Sequence, residues 1–363
     1  MLKTGKESFS YKKYIPVFLS VFFLILAVLT GCGKETASGN NRSAVSGKTA
    51  ETQQQQEKGK QSDALQVKGE TYSVQDDTGR TVTFKGKPRR IVSLTYGTDE
   101  IITVLAGTGR IAAYCRHAGN PEISFLKEED VKKVGKKVQE NSESIFALHP
   151  DLVVVSTSTG EEARQTLESM GIPVYVAMSP KTYGQMKQKV RNLGMALGEP
   201  EKTKALLNRM DERMTALEKR LKAIPDDKRR TAIGFSMTGP MGRKGDLFDS
   251  MMNLAHVING AATVHPLGLK GQISKEQVVL VNPEIFLLPT WNYDKHSDPA
   301  KFARELEEDP AYCNVKAVKN KKMVPLSDRY RYVASHHIVD AVENIAYAVY
   351  PEVFPEGKPQ DQD

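Results

Sequence analysis

The side chains in this sequence that could bind a ligand follow short apolar segments, which are predicted to be strands. In α/β proteins ligands bind at the carboxyl ends of the strands, where such loops lie. Aromatic rings together with guanidinium groups suit a large flat or anionic metal chelate, because they offer stacking surfaces and charge-assisted hydrogen bonds. The candidate ligand-binding residues are Tyr96, Tyr114, Arg116, His117, Met237, Arg243, Trp291, Arg329, Arg331 and His336. The same loops also contain Ser156 to Gly160, Met241, Lys244, Tyr293, Tyr330, Tyr332 and His337.

These residue types leave several ligands open. A ferric catecholate or hydroxycarboxylate would fit them, and so would a haem or a corrinoid. Haem needs a Tyr, His or Met side chain as axial ligand, and the candidates are Tyr114, His117, Met237 and His336. A carrier of free zinc or manganese would need several His and a carboxylate close together, and the seven His form no His-rich loop. We therefore predict neither a metal site of the protein's own nor a cofactor.

One segment is similar to a catalytic motif. Residues 234–239 read G-F-S-M-T-G after a predicted strand, which approaches the G-x-S-x-G nucleophile elbow of hydrolases. Thr238 stands where the sharp turn of the elbow requires glycine, and no Asp-then-His pair follows in a recognisable context. The prediction is that the protein is not an enzyme and has no catalytic residues, with an exported hydrolase as a distant alternative.

The amino-terminal segment is typical of an export signal. Lys12 and Lys13 precede an apolar run of about 15 residues, whereas a spanning helix needs about 20. The run ends in Leu29-Thr30-Gly31-Cys32, which resembles the lipobox of bacterial lipoproteins. That resemblance implies cleavage after residue 31 and a lipid on Cys32, so that the protein is anchored at the extracytoplasmic face of the cell membrane. An uncleaved anchor helix is the alternative. Residues 32–66 are polar and are predicted to be a disordered tether.

Composition narrows the class further. The 363 residues, 39% of them hydrophobic, are enough for about two globular units with packed cores. The net charge of +7 includes +3 from residues 1–31, so the exported chain is close to neutral for its size and nucleic acid is not expected as a partner. With Cys32 lipidated, Cys115 and Cys313 remain. We interpret them as two separate buried thiols, although the sequence leaves their pairing open.

The order of predicted elements defines the fold class. A hairpin around residues 77–79 is followed by β-branched runs that alternate with helical segments, which favours parallel sheets covered on both faces. Residues 200–223 predict one helix of about 36 Å, and the strand–helix alternation then starts again. We predict an α/β protein with two α/β lobes joined by one long rigid helix and a ligand cleft between the lobes. The predicted boundaries are 1–31 for the signal, 32–66 for the tether, 67–199 for the first lobe, 200–224 for the linking helix and 225–363 for the second lobe.

Four segments resemble a known family. Residues 88–94 with Glu100 resemble its opening strand, and residues 143–153 resemble its E-x-I-x-x-L-x-P-D-L-V segment. Residues 273–278 are similar to its S-x-E-x-L helix start, and residues 282–285, N-P-E-I, follow. The family comprises the substrate-binding lipoproteins of ABC importers that carry ferric siderophores, haem or cobalamin, and the resemblance covers residues 87–354.

The resemblance implies a function and its partners. The protein would capture an iron chelate outside the cell, act as a monomer, and deliver the chelate to a permease driven by ATPase subunits. Glu143 and Glu276 would dock on permease arginines, and each precedes a proline by seven residues. Glu161 and Glu162 are the fallback for the first lobe. The alternative is that these carboxylates are solvated charges near helix N-termini. Haem, cobalamin or, less favoured, a free transition metal remain alternative cargoes.

Overall fold

The computed structural model describes residues 66–68, 71–139, 141–159, 161–265, 273–291 and 297–362. The predicted signal segment, Cys32 and Tyr293 lie outside these residues, as does the predicted tether apart from Gln66. Residues 63–363 form one compact unit. Within the described part of the chain, no helix combines the length and the apolarity that a membrane span requires.

A small antiparallel sheet precedes the first lobe. Its strands follow one another in the order of the chain: β1 (Gln66–Lys68), β2 (Thr71–Gln75) and β3 (Thr81–Lys85). The Asp76 carboxylate closes the turn between β2 and β3, because it accepts hydrogen bonds from the backbone N–H groups of Thr78 and Arg80 at 2.9 and 3.0 Å. The predicted hairpin is confirmed.

The first lobe is built on a five-stranded parallel sheet with the strand order β6-β5-β4-β7-β8. Its strands are β4 (Ile91–Ser93), β5 (Ile111–Cys115), β6 (Lys137–Val138), β7 (Leu152–Ser156) and β8 (Val174–Ala177). Its helices are α1 (Tyr96–Ala106), α2 (Glu128–Val134), α3 (Ser142–Phe146), α4 (Glu161–Ser169) and α5 (Tyr183–Ala196). Successive side chains of β7 enter different clusters, Leu152 and Val154 one and Val153 and Val155 the other, so both faces of the sheet are covered.

The second lobe repeats this plan with one antiparallel strand. The strand order is β10-β9-β12-β13, and β11 pairs with β9 in parallel. Among the described strands of this sheet, only β10 is antiparallel to its neighbour. The strands are β9 (Thr231–Ser236), β10 (Gly239–Met241), β11 (Ile258–Asn259), β12 (Ile285–Leu288) and β13 (Met323–Pro325). The helices are α7 (Leu247–Leu254), α8 (Lys275–Val281), α9 (Pro299–Glu308), α10 (Lys316–Lys319), α11 (Asp328–Arg331) and α12 (Ile338–Val349).

The long helix between the lobes is α6, Pro200–Leu221, and it is unbroken. Proline at its start fits the helix because the first turn has no use for that N–H. Its apolar stripe, which includes Leu206, Met210 and Leu217, is buried against α5 and α12. The predicted helix is confirmed to within two residues, but it packs along the protein and does not bridge an open gap.

The two lobes also touch each other directly, which the sequence analysis did not anticipate. Lys189 of α5 donates to the Ala334 carbonyl oxygen at 2.9 Å, and Ser335 donates to the buried Glu100 carboxylate of α1. Phe125 stacks on His337 with ring centroids 4.2 Å apart. One hydrophobic cluster contains side chains of both lobes and of α6. The lobes therefore share a continuous core.

Other differences from the predicted elements have physical causes. The sequence pattern predicts a helix over residues 333–350, but α12 begins only at Ile338. Residues 332–337 instead make contacts with the first lobe. The helices α2, α5, α9, α10 and α11 were not predicted. The interpretation of two buried thiols is half wrong: Cys115 is buried, Cys313 is exposed, and both are free.

Candidate functional site

A cavity of about 370 Å³ lies between the loops of the two lobes. The first lobe contributes residues that follow β4 and β5, and the second lobe contributes residues at or after the ends of β9, β12 and β13. All of these loops leave the carboxyl ends of parallel strands, which is where α/β folds bind ligands. The lining residues are Tyr96, His117, Ile123, Ser236, Met237, Thr238, Trp291, Asp328 and Tyr332. Four of the candidate ligand-binding residues, Tyr96, His117, Met237 and Trp291, are thus brought together.

His117 is neutral in this environment. Burial, the Arg116 guanidinium and Lys137 all lower the pKa of its imidazole below the ordinary value. Arg116 Nε donates to His117 Nε2 at 2.8 Å, so the proton of the neutral ring is on Nδ1. Trp291 lies edge-on to this ring at 6.3 Å between centroids. Arg116 itself is exposed and is a cation at the rim of the cavity.

The two lobes meet across the cavity through a pair of tyrosines. Tyr96 OH, at the start of α1, donates to the Tyr332 carbonyl oxygen at 2.7 Å. Burial and the nearby Glu100 carboxylate raise the pKa of Tyr96, so it stays a neutral phenol. The Tyr332 ring remains exposed to the cavity side. These rings give the cavity two aromatic surfaces, one from each lobe.

Asp328 is the carboxylate in the cavity wall, and its charge is balanced by Arg331, which lies behind the wall. Asp328 accepts hydrogen bonds from the backbone N–H groups of Thr290 and Trp291, both at 2.9 Å, and forms an ion pair with the buried Arg331. Arg331 also donates to the Phe235 carbonyl oxygen. The guanidinium of Arg331 therefore binds groups of the second-lobe loops and does not line the cavity, and its contact with a ligand stays a prediction. Among the described lining residues, no unpaired charge remains.

Three further candidates do not line the cavity. Tyr114 is wholly buried, and its hydroxyl lies 2.8 Å from that of Thr103, because β5 turns this residue into the core. Arg329 pairs with Asp361 and lies over the ring of Phe125. His336 is buried beside His337, and burial holds the pKa of His336 well below its ordinary value. The structure places these three away from the cavity lining, and their contact with a ligand stays a prediction.

Arg243 lies in a second cavity, of about 380 Å³. The second lobe lines it with Arg243, Lys244, Asp246 and His265, and the first lobe adds Lys181. Arg243 is exposed, and its backbone N–H caps the Asp246 carboxylate at 2.8 Å. The structure therefore separates Arg243 from the aromatic cavity.

Residues 234–239, the segment that approaches the nucleophile-elbow motif, form the turn of a β-hairpin. Ser236 ends β9, and β10 follows in antiparallel pairing after two residues. Ser236 Oγ donates to the Gly239 carbonyl oxygen at 3.0 Å. A nucleophile elbow needs a strand followed by a helix. This Ser and Thr238 instead supply hydroxyl groups to the cavity wall.

The two glutamates singled out for docking lie in equivalent structures. Glu143 is in the first turn of α3, which Asn141 caps, and Glu276 is in the first turn of α8, which Ser274 caps. Both carboxylates are exposed. The Ser274 hydroxyl donates to Glu276 at 2.6 Å and lowers its pKa, so Glu276 is ionised at neutral pH.

The ends of these helices match as well. His149 and Asn282 both have φ of 48°, and a proline follows each. The next carboxylate then holds the first strand of its lobe: Asp151 accepts from Arg90 N–H, and Glu284 accepts from Thr231 N–H. The equal interval from Glu143 and Glu276 to the following proline therefore reflects the same helix and turn in each lobe.

No cluster of three or more His, Cys, Asp or Glu side chains that could hold a metal ion occurs among the described residues. Four lining residues were not predicted from the sequence: Ile123, Ser236, Thr238 and Asp328. Asp328 could have been found from its place directly after the last strand, which is the same signal that identified its neighbours.

The chain matches a known protein family over most of its described residues. A family model described as "Periplasmic binding protein" matches residues 91–330. The chain belongs to this family. It is a substrate-binding protein of the kind that serves ABC importers.

Individual relatives agree with this assignment. The ABC transporter substrate-binding lipoprotein YvrC of Bacillus subtilis (strain 168) is 23% identical over 290 residues, which is 78% of this chain and 87% of YvrC. The Fe(3+)-citrate-binding protein YfmC of the same organism is 20% identical over 318 residues, 86% of this chain and 89% of YfmC. The haem-binding protein RhuT of Roseiflexus sp. RS-1, in its apo form, superposes with a TM-score of 0.61 at 21% identity, over 73% of this chain and 99% of RhuT. That likeness establishes the two-lobe fold.

Proposed function

We propose that this protein captures an iron chelate of the ferric siderophore type outside the cell and delivers it to the permease of an ABC importer. The observation that carries the proposal is the aromatic cavity between the lobes, with Tyr96, Trp291 and Tyr332 in its wall. Rings of this kind stack on flat organic ligands and exclude water from them. Metal would enter already enclosed by its chelator.

The charges around the cavity favour a chelate of low net charge. Asp328 is paired with Arg331, and His117 is neutral. Arg116 at the rim is the cation nearest to the lining His117 among the contacts of the described residues. Among the described residues, a multiply charged chelate would not gain enough counter-charges to offset the hydration that it loses in this cavity. A neutral ferric trihydroxamate fits these walls better than a trianionic ferric tris(catecholate).

Anchoring and docking complete the proposal. The lipid would be attached to Cys32, and the protein would work at the extracytoplasmic face of the membrane as a monomer. Glu143 and Glu276 would each pair with a basic residue of the permease, since both carboxylates are exposed, one on each lobe. Glu161 is a weaker candidate, because Arg164 already pairs with it.

Trp291 provides the test of cargo. It is the only tryptophan in the sequence, and it lines the cavity. We expect its fluorescence to be quenched when the protein is titrated with a neutral ferric trihydroxamate, and to be quenched more weakly with a ferric tris(catecholate). Absence of quenching, and of heat in calorimetry, with both chelates would refute the proposed cargo.

Haem or a corrinoid is the second candidate, and His117 is the observation that favours it. A neutral imidazole in an aromatic wall can serve as an axial ligand. Its Nε2 first has to lose the hydrogen bond from Arg116. A Soret band that appears on adding haem and shifts in the His117→Ala variant would support this candidate over the chelate.

A further inference from the structure

Exposed apolar side chains are concentrated at particular places on this protein. Among the described residues, the large apolar side chains left exposed are Phe146, Met170, Val279, Leu280 and Tyr332. Tyr332 belongs to the cavity. Phe146 lies on α3, Met170 directly follows α4, which packs against α3, and the other two lie on α8. Three of the four exposed apolar side chains outside the cavity therefore lie on the two helices that carry Glu143 and Glu276, and Met170 follows a helix that packs against one of them.

The repeat places these side chains at matching positions. In each helix the residue two after the glutamate is buried, Ile145 at 1% and Val278 at 0% exposure. The next residue is apolar and exposed in both, Phe146 at 45% and Val279 at 37%. On α8 the following residue, Leu280, is 83% exposed. A matched acidic and apolar pair is thus displayed once on each lobe.

Folding does not account for these exposed side chains. Val278 attaches α8 to the core, and Leu280 lies on the face away from it. A leucine this exposed gains little of the roughly 2 kcal/mol that burial of its side chain would supply. Single exposed apolar residues are common, but a group beside charged residues marks a contact surface.

We propose that Phe146 on the first lobe, and Val279 with Leu280 on the second, form the apolar part of the contact with the permease. The proposal rests on the proposed function. Each glutamate would pair with a basic side chain of the permease, while the neighbouring apolar side chain enters an apolar depression beside it. Such a buried apolar centre with a charged rim is how protein interfaces concentrate their binding energy.

The charge of these sites favours a permease as the partner over an anionic lipid surface or a second copy of this chain. The first-lobe site carries exposed carboxylates at Glu143 and Glu162, and at Glu161, which pairs with Arg164. The second carries Glu276, and the neighbouring Lys275 is paired with Asp309. An anionic lipid surface would repel these carboxylates. A second copy of this chain facing the same surface would bring like charges together. A protein surface with basic residues around an apolar depression is complementary to both sites.

The test uses the full-length protein in its own cells. A photo-crosslinking amino acid is placed at Leu280, and in a control at Lys301, which is exposed on α9. We expect the Leu280 position to crosslink to an integral membrane polypeptide that mass spectrometry identifies as an ABC permease subunit, and the Lys301 position not to. The Glu143→Arg and Glu276→Arg double variant should lower this crosslinking about tenfold. Crosslinks at Leu280 to lipid, to a second copy or to nothing would overturn the proposal.

A matched pair of substitutions separates contact from folding. Ala147, which directly follows α3, stands four residues after Glu143 as Leu280 stands four residues after Glu276, and both are exposed. Leu280→Ser should weaken binding to membrane vesicles from the same cells about tenfold, while Ala147→Ser should not change it. Both variants should keep the melting temperature and the Trp291 quenching of the parent. Equal vesicle binding by the two variants would overturn the apolar contact. If the chelates do not quench Trp291 in the unmodified protein, the proposed cargo is refuted, but the difference in vesicle binding between the two variants still supports the apolar contact.

Discussion

Arg331 shows why a residue type in the right loop does not identify a ligand contact. Its guanidinium lies behind the cavity wall, paired with Asp328 and bonded to the Phe235 carbonyl oxygen. Asp328 in turn fixes the backbone of Thr290 and Trp291. At this position the charge organises the loops that form the cavity.

Arg331→Met should therefore destabilise the protein by about 3–5 kcal/mol, because it leaves the buried Asp328 carboxylate without its counter-charge. Chemical denaturation measures this loss. The double variant Arg331→Met with Asp328→Asn should recover most of the stability, since no buried charge is then left unpaired. Unchanged stability together with loss of chelate quenching would mean that Arg331 binds the ligand after all.

Asp99 makes the stability of the protein depend on pH. The side chain is completely buried in α1, its carboxylate accepts from Cys115 N–H at 3.1 Å, and burial raises its pKa to about 8 from 3.8. Between these two values the folded protein binds more protons at Asp99 than the unfolded chain does. The contribution of Asp99 to stability therefore falls as the pH rises, by up to about 1.4 kcal/mol per pH unit.

Asp99→Asn should remove this contribution, because the amide oxygen can still accept from Cys115 N–H and carries no charge. The difference in the free energy of unfolding between variant and parent should grow in favour of the variant from pH 5 to pH 7. Other titrating groups cancel in that difference. A difference that stays constant with pH would show that Asp99 titrates normally.

At the level of elements, the contact between Gly97 of α1 and Ala334 shows how closely the two lobes pack. A Cβ at this position of α1 would lie 2.5 Å from the Ala334 carbonyl oxygen. That oxygen also accepts the hydrogen bond from Lys189. Only glycine allows the two lobes to meet at this distance.

Gly97→Ala should push Ala334 away and weaken the contact between the lobes, with a loss of about 1–3 kcal/mol in stability from overpacking. The cavity would change with it, since the neighbouring Tyr96 spans the lobes, and we expect weaker chelate quenching of Trp291. Gly109→Ala is the control, because a Cβ there meets no atom within 4 Å. Equal melting temperatures for the two variants would contradict this account.

How far the sequence predicts these elements depends on local pattern. The strands β4, β5, β7, β8, β9, β12 and β13 and the helix α6 have clear apolar patterns, and they were predicted to within a few residues. The short strands β6, β10 and β11 carry too few apolar residues to give such a pattern and were not predicted. Helix α5 was missed, although Met186, Val190 and Leu193 follow a helical period, because two glycines and several polar residues interrupt the signal. For the cavity, position after a strand predicted Tyr96, His117, Met237 and Trp291. Whether an arginine faces the ligand or a carboxylate behind it depends on contacts between distant loops, which a single sequence does not contain.

At the scale of the whole molecule, the shared core limits how the lobes can move. One hydrophobic cluster includes Leu105 of the first lobe, Met210 of α6 and Ile345 of the second lobe. Separating the lobes would expose this surface to water and break the buried contact between Glu100 and Ser335. Ligand entry must therefore be compatible with small displacements of the loops around the cavity.

The same core makes a prediction about unfolding. Two lobes joined only by a helix would unfold as two units, whereas lobes with a continuous core should unfold in one cooperative transition. Leu105→Ala and Ile345→Ala remove side chains that are at most 1% exposed, one from each lobe, and each should cost about 2–5 kcal/mol. In differential scanning calorimetry each variant should shift the same single transition to lower temperature. If instead two transitions appear, and each substitution lowers only the one belonging to its own lobe, then the contacts across α1, α5 and α12 are too weak to couple the lobes, and cargo could be enclosed by large movements of one lobe against the other.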